Sequence, residues 1–409
     1  MVMISVEEAR ARILEAFSPL PTEVVAIDQA LGRVLATPVT ARTTQPPKAV
    51  SAMDGYAVKA VDVAQVPVRL RVVGAAPAGG DHEGILQSGE AVRIFTGGPL
   101  PRGADAIVIQ EDTDSGEDSE GSWVEVRVTV PEGHYVRPAG LDFSAGDRGP
   151  AAGQRLGVRD IGLAAAMDQP WLTVHRKPRV AILATGDEVV MPGEPRGPNQ
   201  IVSSNGLALQ ALVRSCGGEA LNLGIAEDNR DSLLRLAAGA QGADLLVTTG
   251  GASVGEHDLI RSVLGEDGLE LNFWKIAMRP GKPLLFGQLR ETPLLGLPGN
   301  PVSSLVCGLI FLRPILARLQ GLDSDERTVT ARLGKALPAN DKRQDYLRTR
   351  LTEEADGSLI ALPFNRQDSS MMATLAQADG LLIRAPFAPA VEPGELVSVL
   401  PLAETWSGL

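Results

Sequence analysis

Two cysteines, Cys216 and Cys307, stand in a chain of 409 residues. They are too few for a disulfide framework or a thiolate metal cluster, and nothing in the sequence requires an oxidising compartment. The four histidines, His82, His134, His175 and His257, show no HExxH-type spacing, which argues against a zinc or iron site. Cations are outnumbered by 50 to 38, a formal net charge of −12. No global field therefore favours nucleic acid or an anionic membrane, and an anionic ligand needs a local cationic site. The N-terminus, MVMISVEEARARILEAF, lacks the apolar core of a signal peptide. Ser5 and Glu8 instead have capping-box spacing ahead of an amphipathic helix carrying Val6, Ala9, Ile13 and Phe17. The longest apolar stretch, 305–312, is cut by Arg313 and Pro314, short of the roughly 18 residues a membrane span needs. A soluble cytoplasmic protein with no membrane or nucleic-acid partner is expected.

What is present fits ordinary globular structure. Hydrophobic residues make up 44% and charged residues 22%, enough burial to offset the ordering entropy of the chain. The length predicts roughly two to four domains. Short β-type runs at 66–73, 91–95, 106–110 and 123–130 make the first 170 or so residues strand-rich. The acidic stretch at 111–122, EDTDSGEDSEGS, reads as a solvated hairpin loop or lid edge. From Lys177 the pattern changes to alternating strands and helices, the signature of βαβ units and a mostly parallel sheet. Buried strands are expected at 179–184, 244–248, 283–286 and 293–297, and helices at 205–215, at 231–238 and from Asn300 to about Leu319. Beyond Gly321, strand signals at 328–333, 345–351, 380–383 and 395–399 predict a small all-β domain.

Four motifs carry chemistry. In LLVTTGGASVGEHD, 245–258, a buried strand runs into a glycine turn. Ligands bind beyond the carboxyl ends of parallel strands, where such a turn exposes N–H groups to a phosphate. Neither a Walker A loop nor GxGxxG spacing fits, which weakens nucleotide hydrolase and dinucleotide enzyme readings. Thr185-Gly186-Asp187-Glu188 is placed at the same sheet end. Its carboxylates either share a hard cation such as Mg²⁺ with phosphate oxygens or form a turn with a solvated glutamate. FWKIAMRPGKPLLF, 273–286, brings Lys275, Arg279 and Lys282 together around a Pro-Gly turn, suited to a polyanion or simply a solvated basic turn. It lacks the interleaved aromatics of a nucleic-acid surface beyond Phe273 and Trp274. LGLPGNPV, 295–302, again joins a strand to a helix N-terminus.

Together, SAMDGYAV, IFTGGPLPRGADAIVIQED, RPAGLDFSAGD, ILATGDEVV, TTGGASVGEHD, KIAMRPGKP and LGLPGNPVSS resemble the molybdopterin molybdenumtransferase family, which is related to the C-terminal domain of gephyrin. The resemblance spans about residues 1–400, and seven motifs in order are far more specific than any one. It implies an enzyme that inserts molybdate into the dithiolene of adenylylated molybdopterin with Mg²⁺, releasing AMP. It also implies an elongated homodimer with its cleft between subunits, and transient contact with the molybdopterin adenylyltransferase and molybdoenzyme maturation partners. Four domains are implied: 1–45 with 140–176, a β-rich insert at 46–139, an α/β molybdopterin-binding domain at 177–321, and a C-terminal β-barrel-like domain at 322–409. Residue by residue, Asp187, Glu188, Asp228 and Asp258 form the acidic side, with Glu188, Asp228 and Asp258 as metal ligands. Thr249, Gly250, Gly251, Ser253 and Gly255, with Pro298, Gly299 and Asn300, form the pterin or phosphate cradle. Lys275, Arg279 and Lys282 form the cationic side. Asp54, Thr96 and Asp142 complete the site from the other lobe, and Ser369 joins it.

Two positions depart from the family pattern. Arg279 stands where Lys is expected, and Leu141 precedes Asp142 where a polar residue is common. Asp228 also has a structural alternative, capping the helix that begins near Asp231. Two other functions remain in view: a molybdopterin adenylyltransferase, against which the flanking domains argue, and a non-catalytic scaffold, against which the retained charged residues argue.

Overall fold

The computed structural model describes residues 3–250, 259–322 and 328–402. Helix α1 (Val6–Glu15) starts where Ser5 Oγ accepts from the Glu8 amide at 3.0 Å. The Glu8 carboxylate turns outward to Arg12. Val6, Ala9, Ile13 and Phe17 are buried as the spacing requires, against Val180, Phe286 and Leu316 of the α/β domain. Strand β1 (Thr22–Ala26) follows.

The inserted lobe contains β2 (Gly55–Val58), β3 (Val68–Ala76), β4 (Glu90–Ile94), β5 (Ala106–Ile109), β6 (Thr113–Asp118) and β7 (Gly121–Val126). Their order is β5-β2-β4-β3-β7-β6, antiparallel except for β3 beside β4. One expectation is corrected here. The acidic stretch is not a loop: β6 pairs residue for residue with β7, from Thr113↔Val126 to Asp118↔Gly121, leaving only Ser119 and Glu120 as the turn. Its acidic side chains decorate an exposed edge strand, where charge discourages pairing with another chain. Helix α2 (Val158–Ala166) and β8 (Trp171–His175), antiparallel to β1, close the N-terminal half.

The α/β domain runs β9 (Arg179–Thr185), α3 (Asn205–Ser215), β10 (Glu219–Ala226), α4 (Arg230–Ala237), β11 (Leu245–Thr249), α5 (Leu259–Glu266), β12 (Leu269–Phe273), β13 (Leu285–Leu289) and β14 (Thr292–Leu297). In the sheet order β10-β9-β11-β14-β13-β12, the first four strands are parallel, β13 runs against them, and β12 is antiparallel to β13. β9 and β11, covered on both faces, are buried over nearly their whole length. β10 and β12 escape sequence reading because Glu219, Asn222, Glu270 and Asn272 interrupt their apolar patterns.

Helix α6 (Pro301–Leu319) runs to Leu319 as expected, but it overturns the expectation that its apolar segment is too short for a membrane span. Arg313 and Pro314 do not end the apolar segment; the helix continues through them for 19 residues with a mean hydropathy of 1.7. Proline lacks an N–H and clashes with the carbonyl four residues earlier. A π-turn at Gly308–Leu312, immediately upstream, accommodates both defects. By length and composition α6 suffices to cross a membrane, yet 78% of its apolar window is buried inside the protein. Phe311, Leu312, Ile315 and Leu316 are core residues, each side chain contributing about 1.5–3 kcal/mol by leaving water.

In the C-terminal region β15 (Val329–Leu333), β16 (Gln344–Glu353), β17 (Leu359–Pro363), β18 (Gly380–Arg384) and β19 (Leu396–Pro401) close as β16-β17-β15-β19-β18 and back to β16. Ala331, Leu333, Ala361, Leu382 and Val399 fill this five-stranded barrel. Met278–Arg279 pairs with Gln344 and Asp345, tying the Pro-Gly loop of the α/β domain to the barrel.

Candidate active site

The parallel strands β9, β11 and β14 end together, and a cavity of ≈ 580 Å³ opens beyond them. Thr185, Glu188, Thr249, Gly250, Pro298, Gly299 and Asn300 line it, so the structure gathers much of the expected cradle. Gly251, Ser253, Gly255 and Asp258 lie outside the described residues. Gly250 has φ +91°, and a methyl group there would stand 2.4 Å from the Thr185 carbonyl oxygen. Only glycine allows the two strand ends to approach so closely. Thr249 is 2% exposed; its hydroxyl donates to the Pro298 carbonyl at 3.2 Å and accepts from Asn205 Nδ2 at 2.9 Å. Asn205 Nδ2 also donates to the Gly299 carbonyl at 2.7 Å. One amide thus ties two strand-end loops together. Sequence reading missed this role; the polar run Ser203-Ser204-Asn205 ahead of a helix was its one signal. Thr185, equally buried, has a hydroxyl oxygen with no partner among the described residues. An orphaned donor on a cavity wall is costly unless a ligand satisfies it.

Asn300 occupies the N-cap position of α6, but its side-chain amide donates to Ser369 Oγ at 2.8 Å. Ser369 is thereby fixed beside the cradle, and Ser370 lines the cavity. The carboxylates divide. Glu188 faces the cavity, folded over Gly186, where a methyl group would lie 2.5 Å from its Oε2. Asp187 Oδ1 accepts from the Asp228 amide at 2.9 Å, and the Asp187 amide points back to Asp228 Oδ2 at 3.5 Å. This exchange joins the loops after β9 and β10. Asp228 does not cap α4; Asn229 does, accepting from the Ser232 amide at 2.9 Å.

The three cations separate. Lys275 is half-buried, its ammonium 4.0 Å from the Trp274 ring centroid. Lys282 is exposed and adjoins Pro283, which lines the cradle cavity. Arg279 turns to the barrel, pairing with Asp345 and reaching Asp341 at 3.4 Å and Asn340 at 3.3 Å. The Asp345 hydrogen bond holds the Arg279 guanidinium above its ordinary pKa.

Asp54 and Thr96 meet in the inserted lobe, both exposed. Asp54 Oδ1 accepts from the Thr96 amide at 2.7 Å and from Thr96 Oγ1 at 2.8 Å. These bonds, with a smaller contribution from Arg93, hold the carboxyl below its usual pKa. Asp142 lines a different cavity of ≈ 800 Å³, together with Lys48, Asp81, Gly97 and Arg137. The structure therefore brings Asp54 to Thr96, and Gly97 beside Asp142, but seats neither group on the cradle cavity. Lys48 and Arg137, 89 positions apart in the sequence, balance Asp81 and Asp142 in this second cavity, and Lys48 is paired with Asp81 at 2.7 Å.

Three family models match consecutive stretches of the chain: the MoeA N-terminal region (domain I and II) over residues 4–167, a probable molybdopterin binding domain over 181–318, and the MoeA C-terminal region (domain IV) over 330–402. A molybdopterin molybdenumtransferase of Haemophilus influenzae is 32% identical over 407 residues, covering 98% of each chain. One of Nostoc sp. is 39% identical over 336 residues, 80% of this chain and 76% of that one. A solved structure of a molybdopterin biosynthesis MoeA protein of Pyrococcus horikoshii aligns with a TM-score of 0.83 at 32% identity, covering 98% of this chain and 99% of that one. With every domain matched and relatives alike over nearly their full lengths, the chain belongs to the molybdopterin molybdenumtransferase family.

Proposed function

We propose that this protein transfers molybdenum into the dithiolene of adenylylated molybdopterin, taking molybdate as the metal source and releasing AMP. The observation that carries this reading is the cradle: a cavity at the ends of three parallel strands, with the Gly250 backbone on one wall and the unpartnered Thr185 hydroxyl on another. Such a wall accepts a phosphate or a pterin edge. Lys275 and Lys282, on the loop whose Pro283 lines the cavity, supply positive charge for the oxyanion. Glu188 is the carboxylate placed to orient a water for cleavage of the adenylate.

Mg²⁺ suits the donor set. Among the described residues no three His, Cys, Asp or Glu side chains cluster to hold a metal alone. Mg²⁺, however, is commonly bound by one or two carboxylates and substrate phosphate oxygens. Glu188 and Asp228 would hold it, with Asp258 as a further candidate. When bound, the ion would neutralise phosphate charge. Asp54, Thr96 and Asp142 line no part of the cradle cavity; we assign them to the cradle of a second copy in a homodimer.

The test is AMP release from adenylylated molybdopterin with purified protein and Mg²⁺, with and without molybdate. Molybdate-dependent release with formation of active cofactor is expected. Binding of the adenylylated pterin without AMP release under either condition would move the protein to the scaffold reading.

A further inference from the structure

The C-terminal barrel has a cavity of its own at the end where Arg279 enters, with a volume of ≈ 440 Å³. Arg279, Lys335, Asp345, Phe364 and Arg384 are among its lining residues. Asp345 and Arg384 face each other in register on β16 and β18, and they are only 4% and 5% exposed. Among the described residues each is half satisfied. Arg384 Nη2 donates to the carbonyls of Pro338 at 3.1 Å and Pro389, whereas Nη1 has no partner. Asp345 Oδ2 takes Arg279, whereas Oδ1 has no partner. Among the described residues the two make no ion pair with each other. A buried N–H of a cation and a buried carboxylate oxygen, both unmet among the described residues and both belonging to residues that line one cavity, are expensive to leave unsatisfied.

We propose that the barrel mouth binds a small organic anion carrying a hydrogen-bond donor next to its carboxylate, the arrangement a 2-hydroxy acid presents. The carboxylate accepts from Arg384 Nη1 and the hydroxyl donates to Asp345 Oδ1 across the strand pair. Three lining cations face one lining carboxylate in a protein of net charge −12, so the occupant carries net negative charge. Leu337, Leu347 and Phe364 offer the carbon skeleton an apolar wall. Burial already pushes the Asp345 carboxyl above its ordinary pKa, against the pull of Arg279. A donor from the ligand would favour the carboxylate.

Calorimetric titration of the full-length protein with L-lactate and L-malate tests the site, with propionate and succinate as matched acids lacking the hydroxyl and L-alanine as the zwitterion. The hydroxy acids should bind at least tenfold more tightly than their deoxy counterparts and than alanine. Because Arg384 is buried and its removal endangers the fold, the variant of choice is Ala336→Trp. It starts from an exposed lining residue and fills the mouth from outside. It should abolish binding with an unchanged Tm. No binding of either hydroxy acid to the wild type overturns the proposal, as does binding that survives Ala336→Trp. Equal affinity for the deoxy acids removes Asp345 from the site and overturns the donor requirement, and preference for alanine overturns the anionic class. None of these outcomes depends on AMP release, so the proposed transferase reaction stands or falls separately.

Discussion

The cradle at Thr185–Gly250 and the corner at Asp54–Thr96 hold polar atoms in place by opposite means. In the cradle the fixing is done by packing. Thr185 and Thr249 are each 2% exposed, and the Gly250 backbone is pressed against the Thr185 carbonyl. In the corner an exposed carboxylate on an exposed turn is fixed by two hydrogen bonds from one residue. The difference separates two kinds of functional position. Cradle residues belong to the fold as much as to the site, so their substitution reaches stability and function together. Corner residues can be changed with the fold left alone, because exposed polar contacts contribute little to stability.

Gly250→Ala is the hardest test of this contrast and carries the largest expected effect. The methyl group meets the Thr185 carbonyl at 2.4 Å, at a backbone φ of +91° that side chains rarely adopt. Strain at such a position costs about 1–3 kcal/mol before any steric clash. A lowered midpoint of denaturant unfolding should accompany loss of AMP release. A variant that unfolds at the wild-type midpoint would show that the two strand ends can separate without cost, and the cradle would then be no more embedded than the corner.

Asp54→Asn and Thr96→Val probe the other side. Both should shift the unfolding midpoint only slightly, because the contact is exposed, while Asp54→Asn lowers AMP release about a hundredfold, the cost of one misplaced or uncharged group. Thr96→Val adds a pH signature. The Thr96 bonds depress the folded pKa of Asp54. The stabilisation they give is thus present above the unfolded carboxyl pKa of about 3.9 and is lost as pH falls through the lower folded value. Without the hydroxyl, Asp54 titrates nearer its ordinary range, and the acid limb of the pH–rate profile should move to higher pH. An acid limb that stays where it was would show that the Thr96 amide, the larger of the two contributions and the one valine keeps, holds Asp54 charged without the hydroxyl.

The same contrast explains what was legible in the sequence. Strands buried on both faces, β9 and β11, announce themselves as unbroken apolar runs, and the glycine turn after β11 marks where they end. Gly217 and Gly218, which follow α3, and the Asn300-Pro301 start of α6 are equally plain, since each meets a local backbone requirement, with Gly217 at a φ of +85°. Edge strands were not legible: in β10 and β12 one side is free to carry Glu or Asn, and in β6 nearly every position is polar. Long-range pairings stayed hidden as well. Asn205 reaches Thr249 across 44 positions and Arg279 reaches Asp345 across 66, and neither spacing is a local pattern. The resemblance placed Arg279 on the cationic side of the cleft, whereas its partners in the structure are acidic groups of the barrel.

Arg279→Lys gives the smallest effect and sharpens this last point. The guanidinium spans Asp345, Asp341 and Asn340 at once, which a single ammonium cannot do. Its side chain is 45% exposed, so solvent screens the pair, although its partner Asp345 is 5% exposed. The expected loss is therefore modest, about 0.5–1 kcal/mol, and it should vanish when the same substitution is made in an Asp345→Asn background. AMP release should fall in step with the folded fraction and no further. If release instead drops in a fully folded Arg279→Lys protein, and does so equally with Asp345 or Asn at position 345, Arg279 acts on substrate directly. The tie to the barrel would then be incidental, and the cationic side of the cleft would hold three members instead of the two lysines that the cradle loop supplies.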